Sequence, residues 1–126
     1  METSTFFNHN TDEEIIQIKR TQELDIWITH LNYVTDESDW LAKIASNKLN
    51  DKLLRDALLE SSEQNANILN ELYNYRTSIV KHNECNDLEC DVYYINLHDT
   101  YCSRYRKHLE TYRKIKSDVY MKILMS

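Results

Sequence analysis

Apolar residues recur along this chain at alternating steps of three and four. The first series runs Leu24, Trp27, Leu31, Val34, Ser38, Leu41, Ala45. The second runs Leu54, Leu58, Ser61, Asn65, Ile68, Leu72, Tyr75, Ile79, His82. The third runs Asp91, Ile95, His98, Cys102, Tyr105, Leu109, Tyr112, Lys116, Val119, Ile123. A mean step near 3.5 residues places each series on one face of a long helix with coiled-coil packing. The pattern predicts helices over about 11–46, 51–82 and 88–124, after a disordered tail over 1–10. Two short connections then impose an up-down-up order. The expected fold is all-α: an antiparallel three-helix bundle of long coiled-coil-like helices, forming one domain over 11–126.

The breaks between the series contain no glycine or proline, because the chain of 126 residues has none. Hairpin turns and phosphate-binding loops need residues without a Cβ at left-handed or closely approached positions, so a sheet protein and a Rossmann or P-loop site are excluded. A strained nucleophile elbow is excluded for the same reason, and no catalytic triad is supported. Punctuation must come from short polar side chains that compete for backbone hydrogen bonds. Thr11 and Glu14 have capping-box spacing. Asn50 or Asp51 can cap the second helix, and Asn83 or Asn86 can supply a left-handed turn before the third.

Charge is unevenly spread. The net value is −6, yet residues 100–126 hold seven basic residues against Glu110 and Asp118, leaving the rest of the chain at −11. Tyr101, Tyr105, Tyr112 and Tyr120 interleave with these cations, as a single-strand binder would require. However, Tyr105 and Tyr112 fall on the core series, and a pI of 5.3 opposes nucleic-acid binding. An acidic body with a basic third helix points instead to charge pairing within or between helical proteins. No basic-then-apolar leader and no long apolar run is present, so a cytoplasmic protein without a membrane segment is expected.

The polar interruptions of the series are the candidate chemistry. Level counting along the bundle sets Glu23 beside His98 and Asn74, His30 beside Tyr105 and Asn67, and Glu37 beside Tyr112 and Glu60. Glu23, His98, Glu37 and Tyr112 therefore form an expected buried polar layer that satisfies its own hydrogen bonds. Carboxylate di-iron sites need paired Glu-x-x-His motifs, which are not found in register. Pairing with Glu23 is expected to raise the pKa of His98. Near the second connection, His82, Cys85, Cys90 and His98 follow H-x₂-C-x₄-C-x₇-H, with Asp91 adjacent. These residue types can hold zinc or close a reversible disulfide. The plainer alternative is that the cysteines fill small gaps and His82 caps a helix end.

Glu23-Leu24-x-x-Trp27-x-x-x-Leu31 followed by Glu37, and Glu84-Cys85-x₄-Cys90-Asp91-x-x-Tyr94-x-x-x-His98, resemble a group of short uncharacterised bacterial all-helical proteins. The resemblance covers Gln22–Leu41 and Glu84–Leu124. Those proteins carry a Gly-Gly in the inter-helix loop that this chain lacks, so the resemblance implies a shorter second turn here. It implies no activity or cofactor, but it raises the cysteine pair and His98 above background as metal or redox candidates. Apolar residues off the main series (Ile16, Ile26, Ile28, Trp40, Ile44, Leu59, Leu69, Val80, Leu97, Ile115) exceed what one bundle can cover. The expectation is a non-enzymatic interaction module, a homo-oligomer or the partner of another helical protein, with a metal or thiol-redox sensor as the alternative.

Overall fold

Three long helices pack side by side in the computed structural model, which describes the backbone of residues 9–82 and 87–126 and the side chains of 14–79 and 87–126. Helix α1 spans His9–Asn47, α2 spans Lys52–His82 and α3 spans Leu88–Met125. At 1.5 Å per residue they measure roughly 58, 46 and 57 Å. Hydrogen bonds fix the direction of each helix. Glu23, His30 and Glu37 of α1 meet His98, Tyr105 and Tyr112 of α3, always 75 positions apart, so α1 and α3 run parallel. Asn65 of α2 reaches Leu31 on one side and His108 on the other, and α2 runs opposite to both.

The ends follow from local chemistry. Asn50 adopts φ of 51°, the left-handed conformation that short polar side chains tolerate best among residues other than glycine. Asp51 then caps α2 by accepting from the Leu54 N–H at 3.0 Å. Asp87 caps α3 by accepting from the Cys90 N–H at 2.8 Å. Glu89 and Asp91 in the first turn of α3 complement the helix dipole. Thr11 does not act as the N-cap, because α1 has already begun at His9. The expected tail therefore loses its last two residues to the helix, and the rest of it lies outside the described residues. Asn83 and Asn86 lie outside them too.

Leu24, Leu31, Leu58, Leu72, Val34 and Val119 are the largest fully buried apolar side chains. Ile28 and Leu69, which the series leaves aside, are buried as well. Helices α1 and α2 approach closely along their length and widen the covered strip to include them. At the other extreme, Ile95 and Ile123 are exposed despite their place in the third series. Ile123 lies beyond the level at which α2 begins, so no helix remains to cover it.

Helices α1 and α3 come together least closely of the three pairs. Paired polar side chains and the Trp27 ring, packed on His98 and Tyr105, bridge α1 and α3. The α1–α3 side is the open side of the bundle. Among the described residues, no helix is long and apolar enough to cross a membrane.

Candidate functional site

Four polar levels line the interior of the bundle. At the first, His98 is buried, with its Nδ1 2.6 Å from the Tyr75 hydroxyl and its Nε2 3.3 Å from Glu23 Oε1. The Tyr75 pKa is raised, chiefly by burial, so its hydroxyl stays protonated and donates to Nδ1. The Nε2–H then faces the carboxylate. Trp27 lies against the imidazole at 4.9 Å, and Tyr75 stacks on Tyr101 at 4.8 Å.

Burial holds the His98 pKa below the ordinary histidine value, against the upward pull of the Glu23 hydrogen bond and charge. This overturns the expected rise. The Glu23 side chain is 56% exposed, so water screens its attraction while the ring bears the full loss of hydration.

At the second level, His30 Nδ1 lies 2.7 Å from the Tyr105 hydroxyl, and Trp27 stacks on Tyr105 at 5.4 Å. Burial, with the nearby positive charges of Arg113 and Lys116, lowers the His30 pKa despite the opposing carboxylate of Glu37. At the third, the Asn65 side chain is wholly buried. Its amide donates to the Leu31 carbonyl at 2.8 Å and to Thr35 Oγ1 at 2.9 Å. Its oxygen therefore accepts from His108 Nε2 at 2.8 Å, which fixes the histidine tautomer. Burial alone lowers the His108 pKa.

At the fourth, the Tyr112 hydroxyl donates to Glu37 Oε1 at 2.5 Å and Lys116 reaches the same oxygen at 2.9 Å. Burial works to raise the Glu37 carboxyl, but hydrogen bonds from Tyr112 and Lys116 outweigh it and leave the pKa below the usual carboxylate value. The Glu37 hydrogen bond and charge raise the Lys116 pKa in turn, against its partial burial.

The structure thus brings Glu23 to His98 and Glu37 to Tyr112. Asn74, Asn67 and Glu60, the neighbours expected from α2, are exposed; a shift of one residue in the level count puts Tyr75 where Asn74 was expected. His108 and Thr35 escape the sequence reading, although the same counting applied to Asn65 ends one residue from His108. Of the cysteine cluster, the side chains of His82 and Cys85 lie outside the described residues. Cys90 is disulfide-bonded, while Cys102 is a half-buried free thiol. Both ring nitrogens of His98 are engaged, Nδ1 by Tyr75 and Nε2 by Glu23. Among the described residues, no three His, Cys, Asp or Glu side chains are grouped to hold a metal ion.

The surface differs from this self-satisfied interior. Ile26, Tyr33 and Trp40, seven residues apart on α1, are 63%, 55% and 56% exposed. Tyr33 lies close enough to Glu37 to help hold its carboxyl low, which places the stripe beside the α1–α3 side. Across the gap, the Lys116 ammonium sits over the Tyr120 ring, 5.7 Å from its centroid. Depressions on the outer face of α3, around Asp99, Ser103 and Lys107, are open to solvent.

No protein-family model, curated protein or solved structure matches the chain.

Proposed function

We propose that the chain is a non-enzymatic interaction module, a helical bundle that associates with a second copy of itself. The observation that carries this reading is the exposed stripe of Ile26, Tyr33 and Trp40 at heptad spacing. Apolar residues repeating every seven positions on a helix surface mark the seam of a helix–helix contact. Isolated exposed apolar residues are ordinary, but an ordered row containing Tyr and Trp has the composition of an interface centre. The interior polar groups support the same reading from the other side. His98, His108, Asn65 and Glu37 are committed to one another or to the backbone, the arrangement by which buried polar residues fix register. Size-exclusion chromatography with light scattering tests the proposal. A mass of twice the 15.2 kDa chain at micromolar concentration is expected. A single-chain mass at several hundred micromolar refutes it.

A further inference from the structure

Aromatic rings touch one another in an unbroken row through the interior. Tyr101 of α3 stacks on Tyr75 of α2 at 4.8 Å, and Tyr75 lies 5.7 Å from the His98 ring. His98 lies 4.9 Å from Trp27 of α1, which stacks on Tyr105 at 5.4 Å. Tyr75, Trp27 and Tyr105 are buried, and Tyr101 is half-buried. Phenol and indole are the side chains, thiols aside, that give up a single electron most readily. Two phenols of the row also end on an imidazole, Tyr75 on His98 Nδ1 at 2.6 Å and Tyr105 on His30 Nδ1 at 2.7 Å. A buried phenol needs a hydrogen-bond partner, and a backbone carbonyl would serve. An imidazole within hydrogen-bond reach can in addition take the proton outright.

We propose that Tyr75 is a one-electron donor, a buried radical trap that an oxygen-centred radical of the peroxyl class oxidises through Tyr101, with the phenolic proton passing to His98. The electron leaves the Tyr75 ring and the hydroxyl proton crosses to Nδ1, giving a neutral tyrosyl radical and an imidazolium. The peroxyl radical takes the electron together with a solvent proton and becomes a hydroperoxide. No hydrogen bond is lost in the exchange. The tyrosyl oxygen accepts from the new Nδ1–H, and the Nε2–H still faces Glu23 Oε1 at 3.3 Å. That carboxylate favours the imidazolium.

Tyr105 is joined to Tyr75 through His98 and Trp27, but its imidazole is the poorer store for a proton. Arg113 and Lys116 of α3 disfavour a positive charge on His30, against Glu37 of α1 alone. Around His98, Glu23 of α1 and Asp99 of α3 favour it, against Arg20 alone. The missing electron therefore settles on Tyr75. At 3% exposure this ring is kept from coupling to a second tyrosyl, whereas Tyr33, Tyr73, Tyr93 and Tyr120 stand open to solvent. Every group involved belongs to one chain, so the chemistry does not depend on self-association.

Flash oxidation of the full chain by a ruthenium polypyridyl complex with persulfate tests the proposal. Transient absorption and freeze-quench electron paramagnetic resonance read the radicals, and circular dichroism checks that each variant folds. After the fast loss of radicals on exposed tyrosines, the wild type is expected to retain a slowly decaying neutral tyrosyl signal. Its formation is expected to be slower in deuterated water. Tyr75→Phe, which keeps the ring, is expected to lose the slow signal, and the exposed Tyr73→Phe to keep it. His98→Phe, which removes the proton acceptor, is expected to lose it as well. Glu23→Gln, at a side chain 56% exposed, is expected to shorten its lifetime, and it carries the test of the proton transfer should His98→Phe not fold. Absence of the slow signal from the wild type, or its persistence undiminished in Tyr75→Phe, overturns the proposal. A wild-type lifetime in both folded His98→Phe and Glu23→Gln overturns the assigned proton transfer.

Discussion

The Asn65–His108 contact offers a direct reading of how the polar interior is held. Asn65 is 0% and His108 6% exposed, and the bond between them is 2.8 Å. Water has no access to replace a lost partner. Asn65→Leu leaves the His108 Nε2–H without an acceptor, and His108→Phe leaves the Asn65 oxygen without this donor. Each orphaned group costs about 1–3 kcal/mol, whereas removing both partners leaves neither. The Leu31 carbonyl stays satisfied in every variant, because Thr35 Oγ1 also donates to it at 3.1 Å. The double variant should therefore be more stable than the sum of the single effects by about 2 kcal/mol, within the range of contacting buried pairs. Urea melts of the four proteins measure this coupling directly. The cycle also subtracts the apolar gain of each new side chain. A coupling below about 0.5 kcal/mol would refute the claim that this bond is formed and dry.

Burial lowers the pKa of His30, His98 and His108, so the unfolded chain takes up protons more readily near its value of about 6.5. Their contribution to stability is present in full above that value and is lost as pH falls through the lowered folded values. Denaturant midpoints from pH 8 to 5 should decline, and His98→Phe should decline less steeply; an equal slope would remove His98 from the account. Glu37→Gln should lose about 1–3 kcal/mol by weakening the bonds from Tyr112 and Lys116, read as a lowered thermal midpoint at pH 7 and a smaller loss below pH 4. Leu31→Ala and Leu72→Ala, both at wholly buried positions, should each cost about 2–5 kcal/mol in urea melts; losses under 1 kcal/mol would contradict the packing described for both.

Much of this architecture could be read from the spacing of apolar residues. A period near 3.5 sets the helices and their seams, and helices of similar length with short turns set the levels at which residues meet. That is why Glu23–His98, His30–Tyr105 and Glu37–Tyr112 emerge from counting alone. Two kinds of information were out of reach. Counting gives height but not the distance between helices, so Ile28 and Leu69 could not be seen as buried, nor Ile95 as exposed. It also gives proximity without exposure. Glu23 meets His98 from the wet side of the bundle, and that one fact reverses the sign of the histidine shift. His108 was missed because it lies off the third series, on the face that α3 turns toward α2. Only the need of a buried Asn65 for hydrogen-bond partners points there.

Self-association turns on whether a second chain covers the stripe of Ile26, Tyr33 and Trp40. Sedimentation equilibrium of the full chain, from low micromolar to several hundred micromolar at 0.15 M salt and pH 7.5, measures this most directly. A reversible monomer–dimer fit with a dimer of twice 15.2 kDa is the expected result. A single species of 15.2 kDa over the whole range would contradict it.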